Sequence, residues 1–338
     1  MADPPLPAPS SALAGTDAEA FVARLRGAER VSAFCHEHPD GDTLGAAVAI
    51  SLIAARLGKA SEVVSVDHIP PAYGFLAGAE KIRRQPQLEP DLAVVCDAAT
   101  LARVGSVAHA SADWFRRATI ANIDHHTTNS RFGALNIVDE RAAATCQIVA
   151  ELLPLLEVDL DQEIATALLT GLVRDSHGFS TSTTTPGTLL AAAATVAAGA
   201  PIEAISRATL HELPMRTMNL WARLLGGMKT AYDDQVVYTL LTPELLASTG
   251  TEQHDADGVA EFLARGQGAR VAILFRELGT STRVSLRTEP GVDAAAIAGR
   301  FEGGGHLRRS GCTVSLPAER AIELVLEACR PQLDGPSD

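Results

Sequence analysis

Lysine is nearly missing from this 338-residue chain: Lys59, Lys81 and Lys229 stand beside twenty-five arginines. Basic residues are outnumbered altogether, 28 Lys and Arg against 41 Asp and Glu, for a formal net charge of −13. That balance excludes a passive binder of long nucleic acid, which needs basic charge to displace counterions. It equally excludes the extended basic track of a processive single-strand exonuclease. It leaves room for a nucleotide held through metal ions. Cysteine is sparse too. Cys35, Cys96, Cys146, Cys312 and Cys329 contain no C-x-x-C pair and are odd in number, which argues against a disulfide framework and for a reducing compartment. The first fifteen residues lack the basic start and apolar core of a signal peptide. The most apolar stretch, Leu189–Ala198, is interrupted by Thr195 and falls far short of the roughly 20 residues a membrane span needs. The expectation is a cytoplasmic protein with no membrane contact.

What is present is a globular composition, 46% hydrophobic and 20% charged, long enough for two domains. Short apolar runs at Val31–Cys35, Ser61–Val66, Leu92–Cys96 and Thr119–Ile123 alternate with helical patterns, first at Thr43–Leu57 and then at Ala143–Leu156, Gln162–Val173, Leu189–Ala198 and Ile202–Leu210. β-Branched runs separated by helices indicate a parallel sheet built from β-α-β units. A helix at Met215–Met228 links this half to a second alternation. There Val236–Leu241, Val271–Phe275, Val284–Arg287 and Thr313–Leu316 read as strands, and Ala256–Ala264, Ala294–Ala298 and Ala318–Ala328 as helices. The expected organisation is an α/β domain at 16–190, a helical connector at 191–230 and a smaller α/β domain at 231–332.

Metal-ligating residue types gather at the predicted strand ends. His36, His38, Asp40 and Asp42 fall within seven residues between a strand and a helix. In isolation Asp40 and Asp42 read as turn residues, with Asp42 or Thr43 capping the helix. Together with two histidines, oxygen and imidazole donors on one loop suit a divalent cation. Asp97 ends the run Leu92–Cys96, where open α/β sheets place their ligands. Asp124, His125 and His126 end the next strand. On an extended chain the two histidines point to opposite sides, one for metal and one for substrate, while Asp124 orients an imidazole. Asp175 closes an apolar helix at the end that disfavours an acid, a cost that a nearby cation would relieve. Near the C-terminus, Gly303-Gly304-Gly305-His306 lets backbone amides approach an anion.

In this order the clusters resemble the DHH phosphoesterases, named for the triplet seen here as Asp124-His125-His126, with Gly303–His306 resembling the motif of the C-terminal DHH-associated domain. The resemblance runs from about Val31 to Ala328 and is strongest to the nanoRNase subgroup of oligoribonuclease/pAp-phosphatase enzymes and cyclic-di-AMP or pApA phosphodiesterases. It implies an N-terminal parallel-sheet domain, a smaller C-terminal α/β domain and an active site in the cleft between them. It implies two Mn2+ ions, with Mg2+ or Co2+ as substitutes. One would be held by His36, Asp40 and Asp97, the other by Asp42, Asp97, His125 and Asp175, with Asp97 as bridge. His126 and Asn129 would face the scissile phosphate. Gly304, Gly305 and His306, with Arg287 alongside, would grip the substrate's terminal phosphate. The implied reaction is metal-assisted hydrolysis of di- to pentanucleotides to mononucleotides, with 3′-dephosphorylation of pAp; cyclic-di-AMP hydrolysis and a non-catalytic nucleotide-binding regulator are the alternatives. Family members are often homodimers. Leu307-Arg308-Arg309 departs from the small apolar residues usual after the glycine motif, His177 stands where Thr or Gly is common, and Gly45-Ala46 replaces the frequent Gly-Ser. From Arg265 to Arg309 eight arginines face four acids, so the acidic chain contains a local basic segment in the domain expected to hold the substrate.

Overall fold

The computed structural model describes residues 13–107, 117–305 and 307–333 and divides into two compact units, up to Glu212 and from Leu213 onward. The first unit is α/β. Its strands β1 (Arg30–Phe34), β2 (Ala60–Val64), β3 (Leu92–Cys96), β4 (Thr119–Asp124) and β5 (Leu135–Val138) form one sheet in the order β2-β1-β3-β4-β5. Every pairing is parallel. Buried on both faces, these strands need apolar residues at consecutive positions, which explains runs such as Leu92–Cys96. Val31, Ala33, Leu92, Val94, Cys96, Ala121 and Ile123 point into the main core, while Phe34, Ala93 and Val95 join a smaller cluster on the other face with Val64, Val104 and Val107.

The main core is roofed by α1 (Ala18–Gly27), α2 (Gly41–Arg56), α3 (Thr145–Leu156), α4 (Gln162–Asp175) and α5 (Pro186–Ala197). A short helix α6 (Ile202–Ser206) continues as a π-turn over Arg207–His211. The strand order reverses between β1 and β3, and the loops leaving the carboxyl ends of those two strands carry His36–Asp42 and Asp97. Such a switch point is where open α/β sheets bind ligands. The N-cap of α2 is Asp40, whose carboxylate accepts from the amides of Asp42 at 3.1 Å and Thr43 at 3.3 Å. The capping role expected of Asp42 or Thr43 therefore belongs to Asp40.

The second unit holds a six-stranded sheet in the order β10-β11-β9-β8-β7-β6. Its strands are β6 (Lys229–Ala231), β7 (Val236–Leu241), β8 (Val271–Glu277), β9 (Thr282–Thr288), β10 (Gly304–Gly305) and β11 (Arg309–Val314); β7 and β8 run parallel and the other neighbours antiparallel. One face packs with α10 (Ala294–Gly299) and α11 (Ala318–Leu333) around Phe275, Val284 and Leu286. Part of the other packs with α7 (Met215–Gly226) and α9 (Val259–Leu263) around Leu224, Ala272 and Leu274. The remaining helix is α8 (Pro243–Thr249). The segment 191–230, expected as a connector, is shared out. Its helices before Glu212 pack on the first unit, and α7 buries Leu220 and Leu224 in the second. Among the described residues no single helix is long and apolar enough to cross a membrane; α5 with 202–210 meets the length and composition only as a pair bent by 119°.

The contact between α2 and α4 is close because α2 presents Gly45. A Cβ there would lie 2.3 Å from the Ala167 carbonyl oxygen and 3.0 Å from Cys146 Sγ. Helix propensity alone favours alanine by about 1 kcal/mol, but the obstacle is backbone of a packed helix and cannot rotate away. Gly45→Ala is expected to destabilise the first unit by about 1–3 kcal/mol, seen as a lower urea midpoint at unchanged slope. A midpoint at or above the wild-type value would mean that α4 yields at no cost.

Candidate metal centre and phosphate-binding elements

Seven residues from four stretches of chain meet at the carboxyl end of the first sheet. Their donor atoms fall into three overlapping groups, each within 4.8 Å: His36, Asp40 and Asp97; Asp42, His125 and Asp175; and Asp97, His125 and His126. His36 Nε2 lies 3.4 Å from Asp97 and 3.8 Å from Asp40. His125 Nε2 lies 3.2 Å from Asp175, 3.5 Å from Asp97 and 4.0 Å from Asp42. All six expected metal ligands are thus brought together. His38 is not among them; its amide is tied to Asp67 at 2.7 Å.

The two imidazoles are held from behind. His36 Nδ1 meets the Glu37 carbonyl at 2.7 Å and His125 Nδ1 meets that of Ala142 at 3.2 Å. Each contact places the proton on Nδ1 and turns the Nε2 lone pair toward the carboxylates, the arrangement in which histidine ligates metals. His125 Nε2 is buried and has no hydrogen-bond partner, although three carboxylates surround it. A buried polar atom without a partner is costly, and a cation at the centre of these donors would supply one. The donor set, carboxylate and neutral imidazole, is that of a hard or intermediate divalent ion.

Electrostatics points the same way. Asp42 is fully buried, and burial first, then the charges of Asp97 and Asp175, push its carboxyl well above the usual range. Burial and Asp97 likewise raise Asp40. Burial would lower the His36 imidazole, but Asp97 and Asp40 outweigh it and push it up to about 9. Against its own burial, Asp97 is held well below the usual carboxylate range by His36, His125 and His126. A concentrated negative field that raises both acids and imidazoles is a field waiting for a cation.

Several groups that keep the cluster in place carry no sequence signal of their own. Asp42 accepts from the amides of Thr145 at 2.6 Å and Cys146 at 2.9 Å. It therefore caps α3, whose own N-cap Ala144 has no side chain to do so. Thr145 Oγ1 donates to Asp97 at 3.0 Å. Thr43 accepts from the His36 amide and donates to the Cys96 carbonyl at 2.9 Å, joining the ends of β1 and β3 to the start of α2. Gly171 leaves room for all this: a Cβ there would lie 2.3 Å from Cys146 Sγ and 2.4 Å from Asp42 Oδ1.

Two expectations for the triplet need correction. β4 ends at Asp124, and both histidines beyond it come near Asp97 rather than dividing to opposite sides; His125 Nε2 is 3.5 Å and His126 Nδ1 3.7 Å from it, and the ring centroids are 4.8 Å apart. Asp124 does orient an imidazole, bonding His126 Nδ1 at 2.7 Å. Asn129, expected at the phosphate, is used internally. Its Nδ2 reaches Asp124 Oδ2 at 2.5 Å and Asn122 Oδ1 at 2.7 Å, and its Oδ1 accepts from the Arg131 amide. It holds Asp124, and through it His126.

In the second unit the three glycines differ in their reasons. A Cβ on Gly303 would strike Cys312 and the Gly311 carbonyl at 2.4 Å, and one on Gly305 the Arg309 carbonyl at 2.5 Å. Gly304 has nothing within 4 Å and is open to a ligand. His306 lies outside the described residues. Arg287 is not a free contact, because Glu261 takes its Nε at 2.8 Å and its Nη2 at 2.5 Å. On the same sheet face, register places Arg309 beside Arg287 and Arg276 beside Arg283. Arg309 reaches Glu261 only at 3.9 Å and is largely exposed. Arg308 turns instead to the carbonyls of Glu289 and Val292.

Comparison with known proteins agrees with this geometry. Residues 30–172 match the DHH family N-terminal domain and residues 233–332 the DHHA1 domain. The chain is 33% identical over 301 residues, 88% of each chain, to the bifunctional oligoribonuclease and PAP phosphatase NrnA of Thermus thermophilus. It is 23% identical to the protein of that name from Bacillus subtilis, over 82% of this chain and 87% of that one. An exopolyphosphatase-related protein of Bacteroides fragilis shares the fold, with a TM-score of 0.86 at 21% identity over 93% of this chain and 95% of that one. RecJ from Thermus thermophilus, solved in complex with Mn2+, superposes with a TM-score of 0.56 at 15% identity, over 99% of this chain and 57% of RecJ. The chain belongs to the DHH family, with an N-terminal DHH domain followed by a DHHA1 domain, and is a phosphoesterase of the nanoRNase type.

A divalent cation is expected to stabilise the first unit measurably. Mn2+ at a hundredfold excess over its dissociation constant would add about 2.7 kcal/mol, read as a rise in melting temperature that Asp97→Ala abolishes. A wild-type melting curve indifferent to Mn2+, Mg2+ and Co2+ would remove the metal assignment.

Proposed function

We propose that the protein is a manganese-dependent phosphodiesterase that hydrolyses di- to pentanucleotides, pApA included, to mononucleotides, and that it also removes the 3′-phosphate from pAp. The observation that carries this reading is the overlap of the three donor groups through Asp97 and His125. It is supported by the oligoribonuclease and PAP phosphatase relatives that align over most of the chain. In this reading His36, Asp40 and Asp97 hold one cation, and Asp42, Asp97, His125 and Asp175 the other. When bound, the cations lower the pKa of water toward neutrality and offset charge at phosphorus.

The chain's own residues do the positioning. His126, tethered to Asp124, contacts the scissile phosphate. The second unit binds the rest of the anion through Gly304 and His306 and through Arg283 and Arg309, which take the place expected of the paired Arg287. That basic face covers only a few strands of a chain whose net charge is −13. It suits a short anion with a free end better than a polymer. Two protomers associate in solution, and the enzyme works in the cytoplasm.

Purified protein with Mn2+ is to be incubated separately with pApA, a five-nucleotide RNA, pAp and cyclic-di-AMP. Hydrolysis of the first three, with little of the cyclic dinucleotide, is expected. Cleavage of cyclic-di-AMP alone would replace this reading with the alternative, and cleavage of none would end both. Asp97→Ala is expected to lower kcat by about 10²–10³-fold or more with an unchanged circular dichroism spectrum; substantial residual turnover would refute the shared-ligand role. Asn129→Ala, which frees Asp124, is expected to lower kcat by about 10–100-fold while KM stays near the wild-type value. A change confined to KM would return Asn129 to the phosphate.

A further inference from the structure

Arg174 is a cation beside the donor cluster that the donor groups do not include. It is the penultimate residue of α4, directly before Asp175. Its stem packs on the backbone that follows Asp40: a Cβ on Gly41 would lie 3.0 Å from Arg174 Cβ and 3.0 Å from Tyr73 Cε1. Tyr73 is itself buried, and its ring edge packs against the same Gly41 position. Tyr73 and Arg174 thus flank the turn that leads from Asp40 into α2. In the second unit Arg276 and Arg287 each have a carboxylate partner, Asp257 at 2.7 Å and Glu261 at 2.5 Å. Among the described residues Arg174 has no carboxylate oxygen within 4.0 Å.

Charge balance turns this into a prediction. Asp40, Asp42, Asp97 and Asp175 carry four formal negative charges, and two divalent cations neutralise them. Arg174 adds a further positive charge, set against the carboxylate of Asp124, which His126 and Asn129 already bond. A guanidinium stays protonated in proteins, so Arg174 carries its charge here. An unpaired guanidinium beside the centre is complementary to a phosphodiester anion, and its fork matches two phosphate oxygens.

We propose that Arg174, propped by Tyr73 against Gly41, is a phosphate contact of this site, gripping a non-bridging oxygen of the phosphate being cleaved. The inference rests on the phosphoesterase reading and adds a substrate contact to it. Arg174→Ala and Arg174→Lys are to be compared with wild type for kcat and KM on pApA, for inhibition by the product AMP, and for the Mn2+ concentration that gives half the thermal shift. In Arg174→Ala, kcat/KM is expected to fall by about 10²-fold and AMP inhibition to weaken, with the Mn2+ midpoint unchanged; Arg174→Lys should recover part of the loss. Unchanged kcat/KM in both variants, or a loss that only follows a matching loss of Mn2+ affinity, would overturn the proposal. Should Arg174→Ala not fold, the same measurements on Arg174→Lys decide, since a lysine keeps the charge but not the fork and must show a measurable rise in KM. A wild-type protein that cleaves none of the substrates would remove the parent reading, whereas an active wild type with indifferent variants removes this one alone.

Discussion

Asp42 spends its carboxylate on the first amides of a helix that begins 103 residues later in the chain. The rest of the first unit depends on that contact. Four carboxylates cannot be gathered in a buried space without something to offset their repulsion and desolvation. Helix N-termini are the cheapest offset that a protein can make from backbone alone. Asp42 takes the start of α3, and Asp40 takes the start of its own helix α2. Thr145 ties Asp97, and Thr43 ties the backbone of His36, to the same two helix starts. These backbone and hydroxyl contacts hold the donors in place, and the buried His125 Nε2, without a hydrogen-bond partner, faces the carboxylates that they position.

The second unit solves a different problem, that of keeping a basic face in an acidic chain without letting it collapse on its own acids. Arg276 and Arg287 are held by Asp257 and Glu261, while Arg283 and Arg309 stay at the surface of the same sheet face. The paired arginines keep their charge in a buried or partly buried setting, and the exposed ones add field for an incoming anion. Read by charge alone, the segment from Arg265 to Arg309 shows an excess of arginine but not which of them are taken.

That distinction describes what was legible in the sequence. The strands of the first sheet were readable because both faces are buried and the apolar runs are continuous. β5 was not, because four residues with Asn136 in the middle make no run. The metal ligands were readable because chemistry-bearing residue types recur at predicted strand ends. Their supports were not, because Thr145, Thr43 and Asn122 are ordinary residues that acquire a role only through contacts across the fold. Asn129 and Arg287 were misplaced for the same reason: their polar ends point to Asp124 and Glu261, and local sequence cannot show a hydrogen bond already made.

The glycines close the argument between packing and chemistry. Within a helix a glycine costs about 1 kcal/mol relative to alanine, yet α2 and α4 each keep one at their crossing. Gly45 lets the helices approach, and Gly171 leaves the volume in which Asp42 and Cys146 sit. Were α4 set further out to admit side chains, Asp175 at its end would move away from His125, and the 3.2 Å contact between them would open. The interhelix distance and the size of the donor cluster are therefore one quantity. A fold that only needed a stable core would have no reason to place its helices this close, and the two glycines record the demand that the site makes on the packing.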